Sequence, residues 1–157
     1  ALTELPARLL PVLKAAPRGT ARIINLGSLA AFQPIPWFAV YAATKAYVLS
    51  LSEALAEELG RAYGIRVTCV CPGPVRTRFG ENNGIEPDFF EKGQSAPAVV
   101  SMALRASDRG QVVLVTASRL RTFATRLAPR SVVRKVAAWV IRGSARKVGR
   151  SLNEEQA

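Results

Sequence analysis

The chain has 157 residues, 49% of them hydrophobic, which is enough apolar material for the core of one globular domain. It has no run of about 18 apolar residues and no signal-peptide pattern at its start, so the sequence predicts a cytoplasmic protein without a spanning helix. The net charge is +11, and nearly all of the excess lies after residue 108, where 11 basic residues stand against 2 acidic ones.

The first half of the chain predicts a helix, a strand and a second, long helix. Residues 2–15 have helical apolar spacing interrupted by two prolines, and residues 21–26 form a β-rich strand that ends at Gly27 and Ser28. After a proline-containing loop, a long helix runs from residue 37 or 38 to residue 63. Its predicted apolar stripe consists of Val40, Ala43, Tyr47, Leu51, Ala54, Leu55 and Leu59.

The second half predicts two further strands with a helix between them. Residues 65–71 are almost continuously apolar, as in a strand buried on both faces, and Pro72 and Gly73 end the run. A polar loop of about 20 residues follows, then a helix that Ser95 opens, and a strand over 111–117. This order is typical of an α/β fold with a Rossmann-type parallel sheet and flanking helices.

Cys69 and Cys71 are the two cysteines of the chain. Because they stand two residues apart in a predicted strand, their side chains lie side by side on one face, and we expect two small buried thiols instead of a disulfide. With no histidine and no third cysteine, the sequence gives little support to a zinc site, and no metal site is predicted.

Tyr41 and Lys45 stand four residues apart near the start of the long helix, so their side chains share one helix face. A free tyrosine is mostly protonated at neutral pH, and a nearby ammonium favours the phenolate, which suits a general acid or base. Ser28 and the Pro72-Gly73 pair each follow a strand, where open parallel sheets bind ligands. Singly these residues are more typical of a turn cap, a helix surface and a strand end; together they favour one site.

The three segments resemble motifs of the short-chain dehydrogenase/reductase (SDR) family, in its order and at its spacing. They read "INLGS" at 24–28, "YAATK" at 41–45 and "CPGPVRT" at 71–77. The resemblance covers about residues 1–118 and extends to a bacterial branch of general oxidoreductases. It implies NAD or NADP as cofactor and a small-molecule carbonyl or alcohol as substrate.

The resemblance also implies a role for each residue. Tyr41 would exchange the proton with the substrate oxygen, Ser28 would hydrogen-bond that oxygen, and Lys45 would bind the nicotinamide ribose and favour the tyrosine phenolate. The residues expected to contact the cofactor are Tyr41, Lys45, Pro72, Gly73, Val75 and Thr77. Aromatic residues of the long loop are expected to form an apolar wall of the substrate pocket: Phe79, Phe89 and Phe90.

The sequence departs from the family at its start. It has no Gly-x-x-x-Gly-x-Gly turn to hold a pyrophosphate, and the residue that selects NAD or NADP and the family's active-site asparagine have no assigned counterpart. We therefore expect the chain to be the C-terminal part of a longer reductase, inactive alone and homo-oligomeric at full length. The strand over 21–26 would then be an unpaired edge.

Residues 119–150 are predicted to form basic amphipathic helices, with 151–157 as a tail. They could pack on the protein itself or on a second subunit, or lie on an anionic membrane; nucleic acid is least favoured, because no recognised motif accompanies the charge. A second hypothesis for the whole chain is therefore a non-catalytic interaction or membrane-surface module. The apolar stripes are Leu120, Phe123, Ala124 and Leu127, then Val132, Val133, Val136, Trp139 and Val140.

Overall fold

The computed structural model describes residues 2–79, 92–117, 122, 124, 125 and 127–140. The predicted order of helices and strands is confirmed, with boundaries that differ by one or two residues. The helices are α1 (Glu4–Ala15), α2 (Ala39–Tyr63) and α3 (Ala96–Asp108), together with a 3-10 helix at Leu29–Phe32 and helical residues 130–140. The strands are β1 (Arg22–Leu26), β2 (Arg66–Cys71), β3 (Val75–Arg76), β4 (Gln94–Ser95) and β5 (Val113–Val115).

A parallel sheet of three strands in the order β1-β2-β5 lies at the centre of the molecule. Asn25 of β1 pairs with Cys69 of β2, and Cys69 in turn pairs with Val113 of β5. The predicted parallel α/β architecture is therefore confirmed. Within the described sheet β1 is an edge strand, as expected.

The ends of the long polar loop are paired, which the sequence did not predict. Val75 pairs with Gln94 and Arg76 pairs with Ser95, so that β3 and β4 form a second, two-stranded parallel sheet. Ser95 then opens α3 as predicted, because its hydroxyl accepts a hydrogen bond from the Ala98 amide at 3.4 Å. Residues 80–91 of the loop lie outside the described residues.

The core consists of two layers of side chains, one on each face of β2. All residues of β2 after Arg66 are buried. Cys69 and Cys71 pack against α2, whereas Val70 packs against α3. This arrangement confirms the prediction of a strand that is covered on both faces.

The predicted apolar stripe of α2 was partly wrong. Val40 and Tyr47 are 78% and 49% exposed, and Ala43 and Ala54 of the predicted stripe are exposed as well, so the helix presents these residues away from the sheet. α2 is apolar on more than one face, and its small side chains decide which face approaches the sheet most closely. The buried residues of the helix are Ala42, Val48, Leu49, Ser52 and Leu59.

A buried polar contact fixes α2 on β1. The Asn25 amide Nδ2 donates to the Ser52 hydroxyl at 2.9 Å, and that hydroxyl donates to the Val48 carbonyl at 2.7 Å. Both side chains are buried, so each satisfies a group that would otherwise lose its water without replacement.

α1 packs by only half of its predicted apolar face. Leu10 and Leu13 pack against the cluster around Ile65, but Leu5 and Leu9 are 59% and 44% exposed. α1 therefore packs on the core through residues of its C-terminal part, whereas Leu5 and Leu9 in its first half stay exposed.

The starts of β1 and β2 are joined through the end of α3. Arg22 forms an ion pair with the carboxylate of Asp108, and Arg66 Nη1 donates to the carbonyl of the same residue at 2.7 Å. These contacts lie at the opposite end of the strands from Ser28 and Pro72.

Residues 130–140 are helical, in agreement with the prediction of a helix after Pro129. Val133 and Ala137 are buried, whereas Trp139 is 77% exposed. Leu120 and Phe123 of the first predicted stripe lie outside the described residues. None of the described helices combines the length and apolarity that crossing a bilayer requires.

Candidate active site

Ser28 lies two residues beyond the end of β1, in extended backbone. Its hydroxyl oxygen accepts a hydrogen bond from the Ala30 amide at 3.1 Å, and it thereby caps the 3-10 helix. This contact is the turn cap that the sequence left open as an alternative. A hydroxyl that accepts one hydrogen bond still carries its proton, so the cap and a donor role are compatible.

Tyr41 and Lys45 lie half-buried on the first two turns of α2. The Lys45 ammonium donates to the Leu26 carbonyl at 2.9 Å and lies 5.8 Å from the centre of the Tyr41 ring. Because an ammonium has three protons, this hydrogen bond leaves two for other acceptors. The lysine therefore connects the helix of Tyr41 to the strand end that leads to Ser28.

The Pro72-Gly73 turn adjoins the Ser28 segment. The Leu29 amide donates to the Pro72 carbonyl at 3.1 Å. A Cβ atom on Gly73 would lie 3.2 Å from the Cβ of Ala117, so the turn packs more closely against the end of β5 than a side chain would easily allow. The carboxyl ends of all three strands thus meet at one edge, as predicted.

An open cavity of about 250 Å³ lies beside this turn. Its volume lies just below the range of about 300–1,000 Å³ that is typical of small-molecule sites, so it could take one part of a dinucleotide but not all of it. It is lined by Gly73, Pro74, Lys92, Gly93, Gln94, Thr116 and Ala117.

Val75 and Thr77 shape the segment that brings an aromatic ring to Tyr41. The Thr77 hydroxyl donates to the Val75 carbonyl at 3.5 Å and accepts from the Phe79 amide at 3.4 Å. The Phe79 ring lies 5.6 Å, centre to centre, from that of Tyr41. Phe89 and Phe90, the other predicted pocket residues, lie outside the described residues.

Sequence reasoning did not predict that the two cysteines contact Gly27, the residue before Ser28. The sulfur atoms of Cys69 and Cys71 lie 3.7 Å apart, and both thiols are free and buried as predicted. They lie directly against Gly27, because a Cβ there would be 2.9 Å from each sulfur. The hydrogen bond to Cys69, together with burial, raises the pKa of the Cys71 thiol, so it stays protonated at neutral pH.

The Lys45 ammonium contacts the end of β1, two residues before Ser28, and lies near the Tyr41 ring, so the site residues predicted from the sequence are a hydroxyl, a phenol and an ammonium near one sheet edge. Such a set can donate hydrogen bonds to an oxygen, transfer a proton to it and stabilise the resulting anion. Among the described residues there is no cluster of three potential metal ligands. The arrangement therefore suits proton transfer at a carbonyl or hydroxyl group.

Comparison with known proteins agrees with this chemistry. The sequence profile of a family described as Enoyl-(Acyl carrier protein) reductase matches residues 3–126. Oxidoreductase YghA of Escherichia coli is 35% identical over 126 residues, which are 80% of this chain and 40% of that protein. Tropinone reductase-like 3 of Erythroxylum coca is 34% identical, over 74% of this chain and 52% of the relative.

Solved structures show the same likeness. A short-chain dehydrogenase from Sphingobium yanoikuyae in complex with NADPH has a TM-score of 0.66 and 34% identity, over 78% of this chain and 48% of that one. A 3-oxoacyl-[acyl-carrier protein] reductase with bound NAD from Brucella melitensis has a TM-score of 0.56 and 28% identity, over 74% and 46%. The chain spans about half the length of these relatives, and it belongs to the short-chain dehydrogenase/reductase family of oxidoreductases.

Proposed function

We propose that the chain is the catalytic half of an NAD(P)-dependent reductase or dehydrogenase that interconverts a carbonyl compound and its alcohol. The observation that carries the proposal is the hydrogen bond from Lys45 to the Leu26 carbonyl. It holds the ammonium 5.8 Å from the centre of the Tyr41 ring and at the strand end that precedes Ser28, which supports a site that includes all three residues.

In the direction of reduction, the Tyr41 hydroxyl donates its proton to the substrate oxygen, and the Ser28 hydroxyl donates a hydrogen bond to the same oxygen. Lys45 stabilises the phenolate that remains. When bound, the nicotinamide supplies the hydride that the carbonyl carbon accepts. The Phe79 ring beside Tyr41 presents an apolar surface to the substrate, so we favour substrates with an apolar group next to the carbonyl.

The residues present fit the nicotinamide side of a dinucleotide. Lys45 has two protons left for ribose hydroxyls, and the cavity beside Gly73 can take one ring-sized part of the cofactor. Pro72 directly follows β2, whereas Val75 begins β3 and Thr77 follows it; these residues would complete this side. NADPH and NAD are bound by the Sphingobium and Brucella relatives, which supports either cofactor here. Since the sequence has no glycine-rich turn, we propose that turnover requires the N-terminal half that the relatives have.

The test is Tyr41→Phe in a protein in which the N-terminal half of the NADPH-binding Sphingobium relative precedes this chain. We expect turnover of a panel of ketones and aldehydes to fall by about 10²–10⁴-fold, because a general acid is removed. The dissociation constant of NADPH, measured by fluorescence, should stay nearly unchanged.

The matched control is Tyr47→Phe, on the same helix. Tyr47 is 49% exposed and its hydroxyl is bonded to Thr3 at 2.7 Å, so this variant should keep its turnover. Equal activity of the Tyr41→Phe protein would remove Tyr41 from the proposed role.

We further propose that the full-length enzyme is a homo-oligomer. The outer side of α1 and the start of α2 present apolar side chains that the described chain leaves exposed: Leu5, Leu9, Val12 and Val40. Exposed apolar residues that lie close together are typical of subunit contacts. Light scattering of the complete protein and of its Val12→Glu variant tests this, because a monomeric parent protein would contradict it.

A further inference from the structure

The helix over residues 130–140 carries an apolar stripe that is exposed in the described protein. Val132, Val136 and Trp139 recur at helical spacing and are 49%, 55% and 77% exposed. A tryptophan exposed to this degree beside two exposed valines is costly in water, since each of these side chains gains free energy when it leaves water.

The other side of the same helix is held by the protein. Val133 and Ala137 are each 7% exposed, so other parts of the chain cover the helix along that side. The exposed stripe therefore lies on a different side of the helix from these two covered residues.

Basic residues accompany the stripe without any acidic counterpart. Arg130, Arg134 and Lys135 are exposed on the helix, and Lys135 lies one helical turn before Trp139. In the sequence, no acidic residue occurs between Asp108 and Glu154. An anionic surface would thus meet positive charge along the whole segment, with no repulsion from carboxylates.

The stripe also lies outside the part of the chain that defines the enzyme family. The family profile matches residues 3–126, and the helix begins after this range. Ser28, Tyr41 and Lys45 are all within the matched part. The catalytic architecture therefore gives no reason for Trp139 and its neighbours to be apolar and exposed.

We propose that the helix over 130–140 binds the surface of an anionic lipid bilayer. Trp139, Val136 and Val132 enter the boundary between headgroups and acyl chains, the depth at which tryptophan is favoured. Lys135 stays with the lipid phosphates, because its long side chain can reach the headgroup level while its apolar stem stays buried. Arg130 and Arg134 lie on the opposite side of the helix and add to the positive charge that attracts an anionic bilayer. The enzyme would thus be a peripheral membrane protein, and its substrates could reach it from the bilayer.

The proposal is tested by flotation of the 157-residue chain with vesicles. One set is phosphatidylcholine alone and the other contains about a third phosphatidylserine. We expect binding to the anionic vesicles only, weakened by at least about tenfold between low and physiological salt, because exposed charges are screened. A blue shift of tryptophan fluorescence that Trp139→Phe reduces would place this residue in the lipid.

Variants distinguish binding through the apolar stripe from non-specific binding through other exposed apolar residues. Trp139→Glu should reduce anionic binding by at least about tenfold, since a carboxylate would enter the lipid boundary, whereas Trp139→Phe should keep most of it. Val100→Glu, the same kind of change at an exposed apolar residue of α3, should leave vesicle binding unchanged. The far-ultraviolet circular dichroism of each variant checks that the fold is retained.

Four results would overturn the proposal. One is the absence of binding to anionic vesicles at low salt. Another is binding that Trp139→Glu does not weaken. The third is a change from oligomer to monomer in Trp139→Glu without vesicle binding by the parent chain, which would assign the stripe to a second copy. The fourth is tight binding of RNA instead of vesicles, which would assign the charge to nucleic acid. None of these results depends on turnover, so they leave the proposed enzymatic function untouched.

Discussion

Replacement of Gly27 by alanine tests the contact between the candidate serine segment and the two buried thiols. The new Cβ would lie 2.9 Å from the sulfurs of Cys69 and Cys71 and 3.2 Å from the Val70 carbonyl oxygen. Both cysteines are completely buried in the central strand, so neither sulfur can move into solvent. The backbone of Gly27 is itself bonded to Val70 at 2.8 Å, which limits how far it can withdraw.

Overpacking of this kind costs about 1–3 kcal/mol of the free energy of unfolding. With a urea dependence of about 2 kcal/mol per molar, the midpoint of unfolding should fall by roughly 0.5–1.5 M. The assay is urea unfolding of the chain, followed by circular dichroism. In the complete reductase, we also expect lower turnover with little change in cofactor affinity, because Ser28 follows the displaced residue directly.

Two controls test whether the loss of stability comes from the steric contact at Gly27. Gly60→Ala, in α2, places its Cβ 3.8 Å from the nearest atom and should stabilise the protein by about 0.5–1 kcal/mol, since alanine favours a helix over glycine. In the Gly27→Ala background, Cys69→Ala combined with Cys71→Ala should restore part of the lost stability, although the same pair of changes destabilises the parent by opening a cavity. A Gly27→Ala protein as stable as the parent would refute the steric account, as would the absence of any rescue.

Two further predictions concern stability and use the same urea assay. Ser52→Ala should lower the free energy of unfolding by about 1–3 kcal/mol, because it leaves the buried Asn25 amide without its acceptor. Adding Asn25→Leu should recover part of that loss, and a Ser52→Ala variant as stable as the parent would contradict this account. Gly64→Ala should lower the free energy of unfolding by about 1 kcal/mol or more, because Gly64 ends α2 with φ of +69° and a Cβ there would approach the Arg18 side chain to 2.5 Å. Gly64→Asn should lower it less, since asparagine tolerates this backbone conformation. A larger loss for Gly64→Asn than for Gly64→Ala would count against the explanation.

The sequence predicted the strands and helices well where one local signal dominates. The run that became β2 is apolar throughout, and Ser95 with Pro97 marks the start of α3, so each was placed within two residues. β3 and β4 were missed because each has only two residues, too few to show alternation.

The exposed face of α2 was misjudged for a different reason. Val40 and Tyr47 are as apolar as the residues that contact the sheet, and periodicity alone cannot distinguish two apolar faces of one helix. The contact with Gly27 was invisible for a similar reason. The two cysteines are more than 40 residues further along the chain, and only the register of β1 on β2 brings them beneath it.

Within the candidate site, residues with distinctive side chains were predictable and backbone partners were not. Ser28, Tyr41 and Lys45 could be selected because their spacing matches a known pattern. The carbonyl of Leu26 that holds Lys45 could not, because every residue has a carbonyl group and only the fold selects one.

The contacts of Asp108 with Arg22 and Arg66 have a consequence for how this protein can diversify. They secure the amino ends of two strands, while Ser28 and the Pro72-Gly73 turn occupy the carboxyl ends. The contacts of Asp108 and the candidate site thus lie at opposite ends of the strands. Mutant libraries that aim at new substrates can concentrate on cavity-lining residues such as Pro74, Lys92 and Gln94, which lie away from the contacts of Asp108.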